Sequence, residues 1–504
     1  MTGESLLART ARGAGWVVAW RMATRLLGLG STLVLVRLLP PEDFGLVALA
    51  ASFALTLDVC LAIGVEDQIV RARDPAPVLY DTAFTLNLLR GLLVAALLAA
   101  VAAPAASFFG DDRLFPVFLA LAASAAFSGA TSIGIADFRR SLRFEKEFQL
   151  QLLPRLAGIA VTLLGAWLLR SHWGLVLGIL TNRLGVAVMS HVLSPYRPRL
   201  SLAAWRDLAG VSGWSWAIGI AAVLRDRADS LVIGRLLGPA RLGVYAVGVE
   251  VAVLPTSEMV DPICRACMPG FAATLRGGDL AALREAWLRI VALMALLTLP
   301  AGLGISLVAG PVVALGFGPA WADAAPIVSI LGIACTVMLF GNVSAALLNA
   351  RAMLRTILSL TIAAALLRLV LLAALIPGYG LAGAGLAIGI SLVAEHLVLV
   401  GCALRLLRLP ARLFLAGIAR PALAAMAMAL ALWATGLGWV PGPDSAVAAA
   451  RLLALAIPLG AAVFTAALLL QWRLAGAPAG AEADMVALLR GLTGRLGAPR
   501  ACRA

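Results

Sequence analysis

The chain has 504 residues, of which 62% are hydrophobic and only 13% are charged, and its mean hydropathy is +0.98. A soluble domain carries about 25% charged residues, so this composition excludes a soluble globular protein. The formal charge of +14 comes almost wholly from arginines in short connectors between apolar runs. That distribution is typical of a membrane protein, whereas nucleic-acid-binding proteins cluster basic residues on one soluble face. We therefore expect an integral membrane protein without a nucleic-acid partner.

About fourteen apolar stretches are long enough to cross a bilayer, because roughly 20 helical residues span its hydrocarbon core. They are continuously apolar rather than alternating, which indicates helices and not a barrel. The predicted fold class is therefore all-α integral membrane. In chain order the predicted spans are residues 14–39, 43–66, 82–104, 114–137, 148–170, 173–193, 208–237, 241–264, 286–309, 322–348, 355–376, 380–404, 413–437 and 446–471.

Positive charge between the spans predicts the orientation. With a cytoplasmic N-terminus, most connector arginines fall on the cytoplasmic side, including those of the basic segment 138–147. The connectors on the other side are short, which disfavours an enzyme that works through a large external loop. We predict that both termini are cytoplasmic. Segment 270–289 is predicted to be either a short interfacial amphipathic helix or an extension of the next span.

The sequence contains an internal repeat. Residues 34–50, VLVRLLPPEDFGLVALA, resemble residues 231–248, LVIGRLLGPARLGVYAVG, at an offset of 198 residues. A second junction agrees, since Trp173-Gly174-Leu175 resembles Tyr379-Gly380-Leu381. Six predicted spans separate the copies, so the halves have the same orientation, and parallel repeats of this kind enclose a substrate path near the membrane midplane. The alternative is that this motif is only a favoured turn.

The repeat predicts four regions. Residues 1–200 form an N-terminal six-helix bundle and residues 201–408 a C-terminal six-helix bundle, with a central cavity. Residues 409–472 add two transmembrane helices, and residues 473–504 form a cytoplasmic tail.

Charged residues inside the predicted spans are the candidate functional residues, because each charge at mid-helix costs about 2.5–3.5 kcal/mol to insert. The predicted substrate-binding residues of the cavity are Arg21, Arg25, Arg90, Arg225 and Arg227. The candidates for ion coupling or for structural ion pairs are Asp58, Asp226, Asp229, Glu250, Arg368 and Glu395. Arg90, Arg155 and Arg183 are interpreted as lying nearer the span ends, from which a long side chain reaches the interface.

Arginines without acidic partners suit an anionic substrate, because guanidinium binds phosphate through two parallel hydrogen bonds and stays charged. The sequence has no G-x-x-x-x-G-K-[ST] loop, which excludes nucleotide hydrolysis by that route. Cys264 and Cys267 form a C-x-x-C, but with no second cysteine pair a zinc site is not expected. We expect neither a metal nor another cofactor, and no catalytic residues.

Five segments together resemble a known family. They are W-R-M-A-T-R-L-L-G at 20–28, V-R-L-L-P-P-E-D-F-G-L at 36–46, I-G-R-L-L-G-P-A-R-L-G-V-Y at 233–245, G-F-G-P-A-W-A-D-A-A-P-I at 316–327 and A-L-L-N-A-R at 346–351. In order and spacing they resemble bacterial polysaccharide flippases of the Wzx type. These belong to the multidrug/oligosaccharidyl-lipid/polysaccharide exporter superfamily, and the resemblance covers nearly the whole chain.

The resemblance implies a twelve-helix core of two bundles with two helices appended. It also implies alternating-access transport of undecaprenyl-diphosphate-linked oligosaccharides from the cytoplasmic to the periplasmic leaflet of the bacterial inner membrane. The implied partners are this anionic glycan lipid, membrane lipids and other polysaccharide-assembly proteins. Related lipid II flippases are expected to use arginines on their first helices, a stretch comparable to that of Arg21 and Arg25, although the residues do not match one to one.

Three alternatives remain open from the sequence. A cation-coupled multidrug exporter of the same superfamily would favour acidic and aromatic cavity residues. A polytopic glycosyltransferase or polymerase would show acid pairs on a long external loop. A non-transporting membrane scaffold is disfavoured by the cost of so many buried charges.

Overall fold

The structure, a computed structural model, describes residues 23–24, 27–62, 64–71, 75–141, 143–208, 213–478 and 480–483. All regular secondary structure in this part is helical. Ten of the described helices are long and apolar enough to cross a membrane, or up to eleven if the bent pair Leu114–Gly129 and Ile133–Arg140 is one span. The chain is therefore an all-α, multi-span membrane protein, and the number fourteen stays a prediction.

The chain divides into two compact units, residues 1–246 and 247–504; the predicted domain boundaries stay a prediction. The helices of the first unit are α1 (Leu27–Leu38), α2 (Pro41–Cys60), α3 (Val65–Arg71), α4 (Pro77–Phe109), α5 (Leu114–Gly129), α6 (Ala136–Arg140), α7 (Phe144–Leu169), α8 (Trp173–Leu193), α9 (Trp205–Leu208) and the first part of α10 (Gly213–Arg276).

The second unit begins within α10. Its further helices are α11 (Leu280–Leu307), α12 (Ala309–Gly316), α13 (Ala324–Ala350), α14 (Leu354–Leu407), α15 (Ala411–Ala434) and α16 (Ala446–Leu474). Trp287, fully buried on α11, packs with Phe340 and Phe414 in the core of this unit. A second cluster joins α15 and α16 to α11, with Leu307 and Phe464 among its members.

The two longest helices are each broken at a glycine. α10 has 64 residues and α14 has 54, which at 1.5 Å per residue is about 80 Å or more, far beyond a ~30 Å hydrocarbon core. The backbone leaves helical geometry at Gly238 (φ +82°) and at Gly380 (φ +55°). A side chain is strained at such positive φ, so glycine fits both positions. Both breaks lie at or beside the connections predicted between spans seven and eight and between spans eleven and twelve.

Helix ends follow local chemistry. Pro41 begins α2 and Pro77 begins α4, because proline lacks the N–H that a first helical residue leaves unpaired. Asp279 caps α11 by accepting a hydrogen bond from the backbone N–H of Ala282 at 2.9 Å.

The segment 270–289 does not form a separate interfacial helix. α10 continues to Arg276, and after a short turn α11 begins at Leu280 and runs on through the next predicted span. Leu283 and Trp287 are almost fully buried. The second interpretation of this segment, an extension of the following span, is therefore correct.

The two copies of the repeat meet each other inside the first unit. A Cβ atom on Gly45 would lie 1.7 Å from the carbonyl oxygen of Pro239, and a Cβ atom on Gly243 would lie 1.8 Å from that of Pro41. Since Pro41 and Gly45 correspond to Pro239 and Gly243 at the 198-residue offset, the crossing is reciprocal. Each of these two contacts is thus the equivalent of the other, as in a local two-fold arrangement.

Candidate functional site

A cavity of about 560 Å³ lies within the first unit, among α1, α2, α4, α5, α7, α8 and α10. Most of its wall consists of small and apolar side chains. The charged residues of the wall are Asp58, Arg155, Arg183 and Arg227. Because three arginines face one carboxylate, the wall has an excess of positive charge. We name this space the arginine cavity.

Arg155 and Arg183 lie well inside their helices. Arg155 is eleven residues after the start of α7, and Arg183 is ten residues before the end of α8, so each is about 15 Å or more from the nearer helix end. The interpretation that both lie near span ends is therefore wrong.

Small residues bring α7 and α8 together at this depth. A Cβ atom on Gly178 would lie 2.9 Å from the carbonyl oxygen of Gly158, and a Cβ atom on Gly158 would lie 3.0 Å from the same atom of Gly178. The two helices approach backbone to backbone, and Arg155 and Arg183 line one cavity as a result.

Arg155, Arg183 and Arg227 make no hydrogen bond or salt bridge within the described part of the chain. A guanidinium in a membrane interior requires water or an anion to compensate its charge. The Arg155 guanidinium also approaches α1, because Nη2 lies 3.4 Å from where a Cβ on Gly28 would be. An arrangement of this kind provides several N–H donors for a phosphate-like group.

Arg90 and Asp58, predicted separately, form an ion pair between α4 and α2. Arg90 Nη1 lies 2.6 Å from Asp58 Oδ1, and the side chains are 15% and 32% exposed. Arg90 Nε and Nη2 also donate to Asn87 Oδ1 at 3.3 and 3.2 Å. Arg90 is not among the lining residues of the arginine cavity, whereas Asp58 is.

A second, smaller cavity of about 190 Å³ lies in the same unit, among α3, α4, the end of α5, α6, the start of α7 and α8. We name it the polar cavity, because most of its lining side chains are polar or charged. Those residues are Glu66, Asn87, Arg90, Ser128, Thr131, Arg139, Glu147 and Gln151. Across it, Arg139 Nη2 lies 2.9 Å from Glu147 Oε1.

The other charged residues predicted on α10 have protein partners. Arg225 donates to Asp226 from Nε at 2.8 Å and from Nη2 at 3.1 Å. Asp229 is buried, and it accepts hydrogen bonds from the hydroxyl of Tyr245 and from the backbone N–H of Ser230. Of the four charges of RDRAD, Arg227 is the one that lines the arginine cavity.

The predicted charges of the second unit are at least half-buried. Arg368, 5% exposed, donates from Nε to Ser391 Oγ at 3.1 Å. Glu395 is buried four residues after Ser391, on the same face of α14. Glu250 is half-buried on α10.

At the connection between α4 and α5 in the first unit, acidic side chains surround Arg113. Its guanidinium bonds to Asp111 Oδ2 at 2.7 Å and to Glu42. The hydrogen bond from Arg113 lowers the pKa of the Asp111 carboxyl below its usual value. This cluster fixes the α4–α5 connection against the start of α2.

Some predictions lie outside the described residues. Arg21 and Arg25 lie outside the described residues, and so do the side chains of Cys264 and Cys267. In the described part of the chain, no three His, Cys, Asp or Glu side chains converge on a metal-sized site.

Comparisons with known proteins agree with this architecture. The profile of a family described as polysaccharide biosynthesis protein matches residues 34–326, more than half of the chain. The lipopolysaccharide biosynthesis protein WzxC of Escherichia coli (strain K12) is 25% identical over 352 residues, which cover 69% of this chain and 71% of that protein. The succinoglycan biosynthesis transport protein ExoT of Rhizobium meliloti (strain 1021) is 23% identical over 325 residues, covering 64% and 65%.

Two solved structures show the same fold. The lipid II flippase MurJ in an inward closed conformation superposes with a TM-score of 0.70 at 12% identity, covering 90% of this chain and 98% of that one. An inward-facing multidrug resistance MATE family transporter of the MOP superfamily has a TM-score of 0.60 at 16% identity, covering 76% and 94%. With the match over residues 34–326, the chain belongs to the polysaccharide biosynthesis protein family and has the fold of MOP superfamily transporters.

Proposed function

We propose that the protein flips a lipid-linked, diphosphate-bearing glycan precursor across the membrane, and that the arginine cavity binds the diphosphate. The observation that carries this proposal is the set of Arg155, Arg183 and Arg227, which line one cavity and have no partner among the described residues. Relatives named for lipopolysaccharide biosynthesis and succinoglycan transport support the substrate class.

The charge balance of the cavity favours an anion. Asp58 is already engaged by Arg90 at 2.6 Å, so no described carboxylate of the cavity wall compensates the three arginines. A diphosphate supplies negative oxygens that match guanidinium geometry, and it neutralises charges that otherwise raise the free energy of the membrane-embedded state. Arg21 and Arg25, which precede α1 in the sequence, remain proposed contributors to this site.

We also propose where the protein is located and which of its carboxylates take part in ion coupling. We place the protein in the bacterial inner membrane with both termini in the cytoplasm, next to other polysaccharide-assembly proteins, as a transporter that does not change its substrate chemically. The buried carboxylates Asp229 and Glu395, with Asp226 and Glu250, are proposed as ion-coupling or ion-pairing groups.

The test is a triple variant, R155Q/R183Q/R227Q, in a strain that lacks its own copy of the gene. Each lost charge-assisted hydrogen bond to phosphate is worth about 1.5–3 kcal/mol. We therefore expect export of the polysaccharide to fall at least about 100-fold. The lipid-linked intermediate should accumulate, measured by extracting and quantifying membrane lipids.

The matched control removes three exposed arginines from the second unit, as R405Q/R408Q/R412Q. It should export normally, and both variants should be present in the membrane at the level of the native protein. Normal export by the cavity variant would refute the assignment of the diphosphate site.

A cation-coupled multidrug exporter is the alternative that the superfamily allows. A cavity with excess positive charge repels cationic drugs, so this alternative predicts the opposite charge at the site. Uptake of cationic dyes by liposomes containing the purified protein, with no transport of the glycan lipid, would favour it.

A further inference from the structure

The polar cavity differs from the arginine cavity in charge and in chemistry. Its two arginines, Arg90 and Arg139, are balanced by two glutamates, Glu66 and Glu147. A balanced wall gives no net attraction to an anion. It presents hydrogen-bond donors and acceptors together, which is what a neutral polyhydroxyl group requires.

Three uncharged side chains of this cavity have hydrogen-bonding capacity to spare. In the described part of the chain, the side chains of Ser128, Thr131 and Gln151 make no hydrogen bond. Asn87 beside them is held in place, since its Nδ2 donates to the carbonyl oxygen of Gly129 at 3.2 Å. The volume of about 190 Å³ equals that of about six water molecules, the scale of one sugar ring and not of an oligosaccharide.

The two cavities are neighbours. Ser128 lines both of them. Arg90 lines the polar cavity, and its ion-pair partner Asp58 lines the arginine cavity. The two cavities therefore share one serine, and one ion pair joins their walls.

We propose that the polar cavity binds the first sugar of the lipid-linked glycan while the arginine cavity holds the diphosphate. In such a lipid the first sugar is bonded directly to the diphosphate, so a group held in one cavity places the next group at the other. This inference rests on the proposed function, and it makes Thr131 and Gln151 sugar-binding residues that set preference among first sugars.

The test measures binding of two probes to the full-length protein in lipid nanodiscs. One probe is undecaprenyl diphosphate, and the other is undecaprenyl diphosphate carrying a single monosaccharide of the native glycan. Two additional hydrogen bonds to the sugar predict about tenfold tighter binding of the second probe. The variant T131V/Q151L should lose this tenfold difference and bind the sugar-free lipid as the native protein does.

The control T435V/Q149L makes the same chemical changes outside both cavities and should keep the difference. Equal binding of both probes by the native protein, or a tenfold difference that persists in T131V/Q151L, would overturn the sugar site while leaving the diphosphate site intact. Failure of the native protein to bind either probe would instead refute the proposed function, and the sugar site with it.

Discussion

At the Arg90–Asp58 pair, two charges that lipid would not tolerate compensate each other between α4 and α2. Removing one partner of a buried pair leaves the other charge in a low-dielectric environment, which is usually worse than losing both. The side chains here are partly exposed, so water reduces the penalty.

The variant D58N should therefore lower the free energy of unfolding by ~1–3 kcal/mol, because Arg90 loses its counter-charge. The double variant D58N/R90Q should be less destabilised than the sum of the two single variants by about 1 kcal/mol. Equilibrium unfolding in detergent measures both. Additive losses would show that the two residues do not interact in the folded protein.

The residues of the site were predictable only in part. The density of charge in RDRAD indicates that something other than lipid faces this helix, and Arg227 does line the cavity. Arg155 and Arg183 were missed as cavity residues because the direction a side chain faces depends on the glycine contacts between α7 and α8. A signal was available, since Arg155, Gly158 and Thr162 follow helical spacing along one face of α7.

At the scale of helices, the two copies of the repeat cross each other closely within the first unit. Gly45 and Gly243 allow α2 and the second half of α10 to pass with backbone atoms in contact. A methyl group at either position would overlap a proline carbonyl oxygen, so the helices would have to separate.

The variant G45A should therefore lower the free energy of unfolding by about 1–3 kcal/mol, the usual cost of overpacking, and G243A should do the same. G30A is the matched control, because a Cβ there meets nothing within 4 Å and alanine favours a helix over glycine. Thermal unfolding in detergent compares the three. An unfolding temperature of G45A equal to that of G30A would rule out the close crossing.

The sequence predicted helix ends and breaks correctly where a proline or glycine lies at them. Gly238 and Gly380 break α10 and α14 at or beside the predicted connections, because both positions need a positive φ. The start of α7 was placed four residues late, since charged residues at a helix end resemble a connector in a hydropathy pattern. The α4–α2 ion pair and the contact between the repeat copies are tertiary facts that no local pattern contains.

For the whole molecule, membrane class and family followed from composition, repeat and motif order. The apolar composition required a multi-span protein, and the family match over residues 34–326 agrees with the motifs. The division at residue 246 could not be read from the sequence, because it depends on how the two parts of α10 pack.

We propose that the arginine cavity binds the diphosphate of the lipid that the protein flips. The most direct test of this is flipping in liposomes, with a fluorescent undecaprenyl-diphosphate-linked sugar in both leaflets and a membrane-impermeant quencher outside. With the native protein, the fluorescence of the inner leaflet should be quenched as the lipid crosses. With R155Q/R183Q/R227Q it should remain protected, as in protein-free liposomes. Quenching by the triple variant at the native rate would contradict the claim.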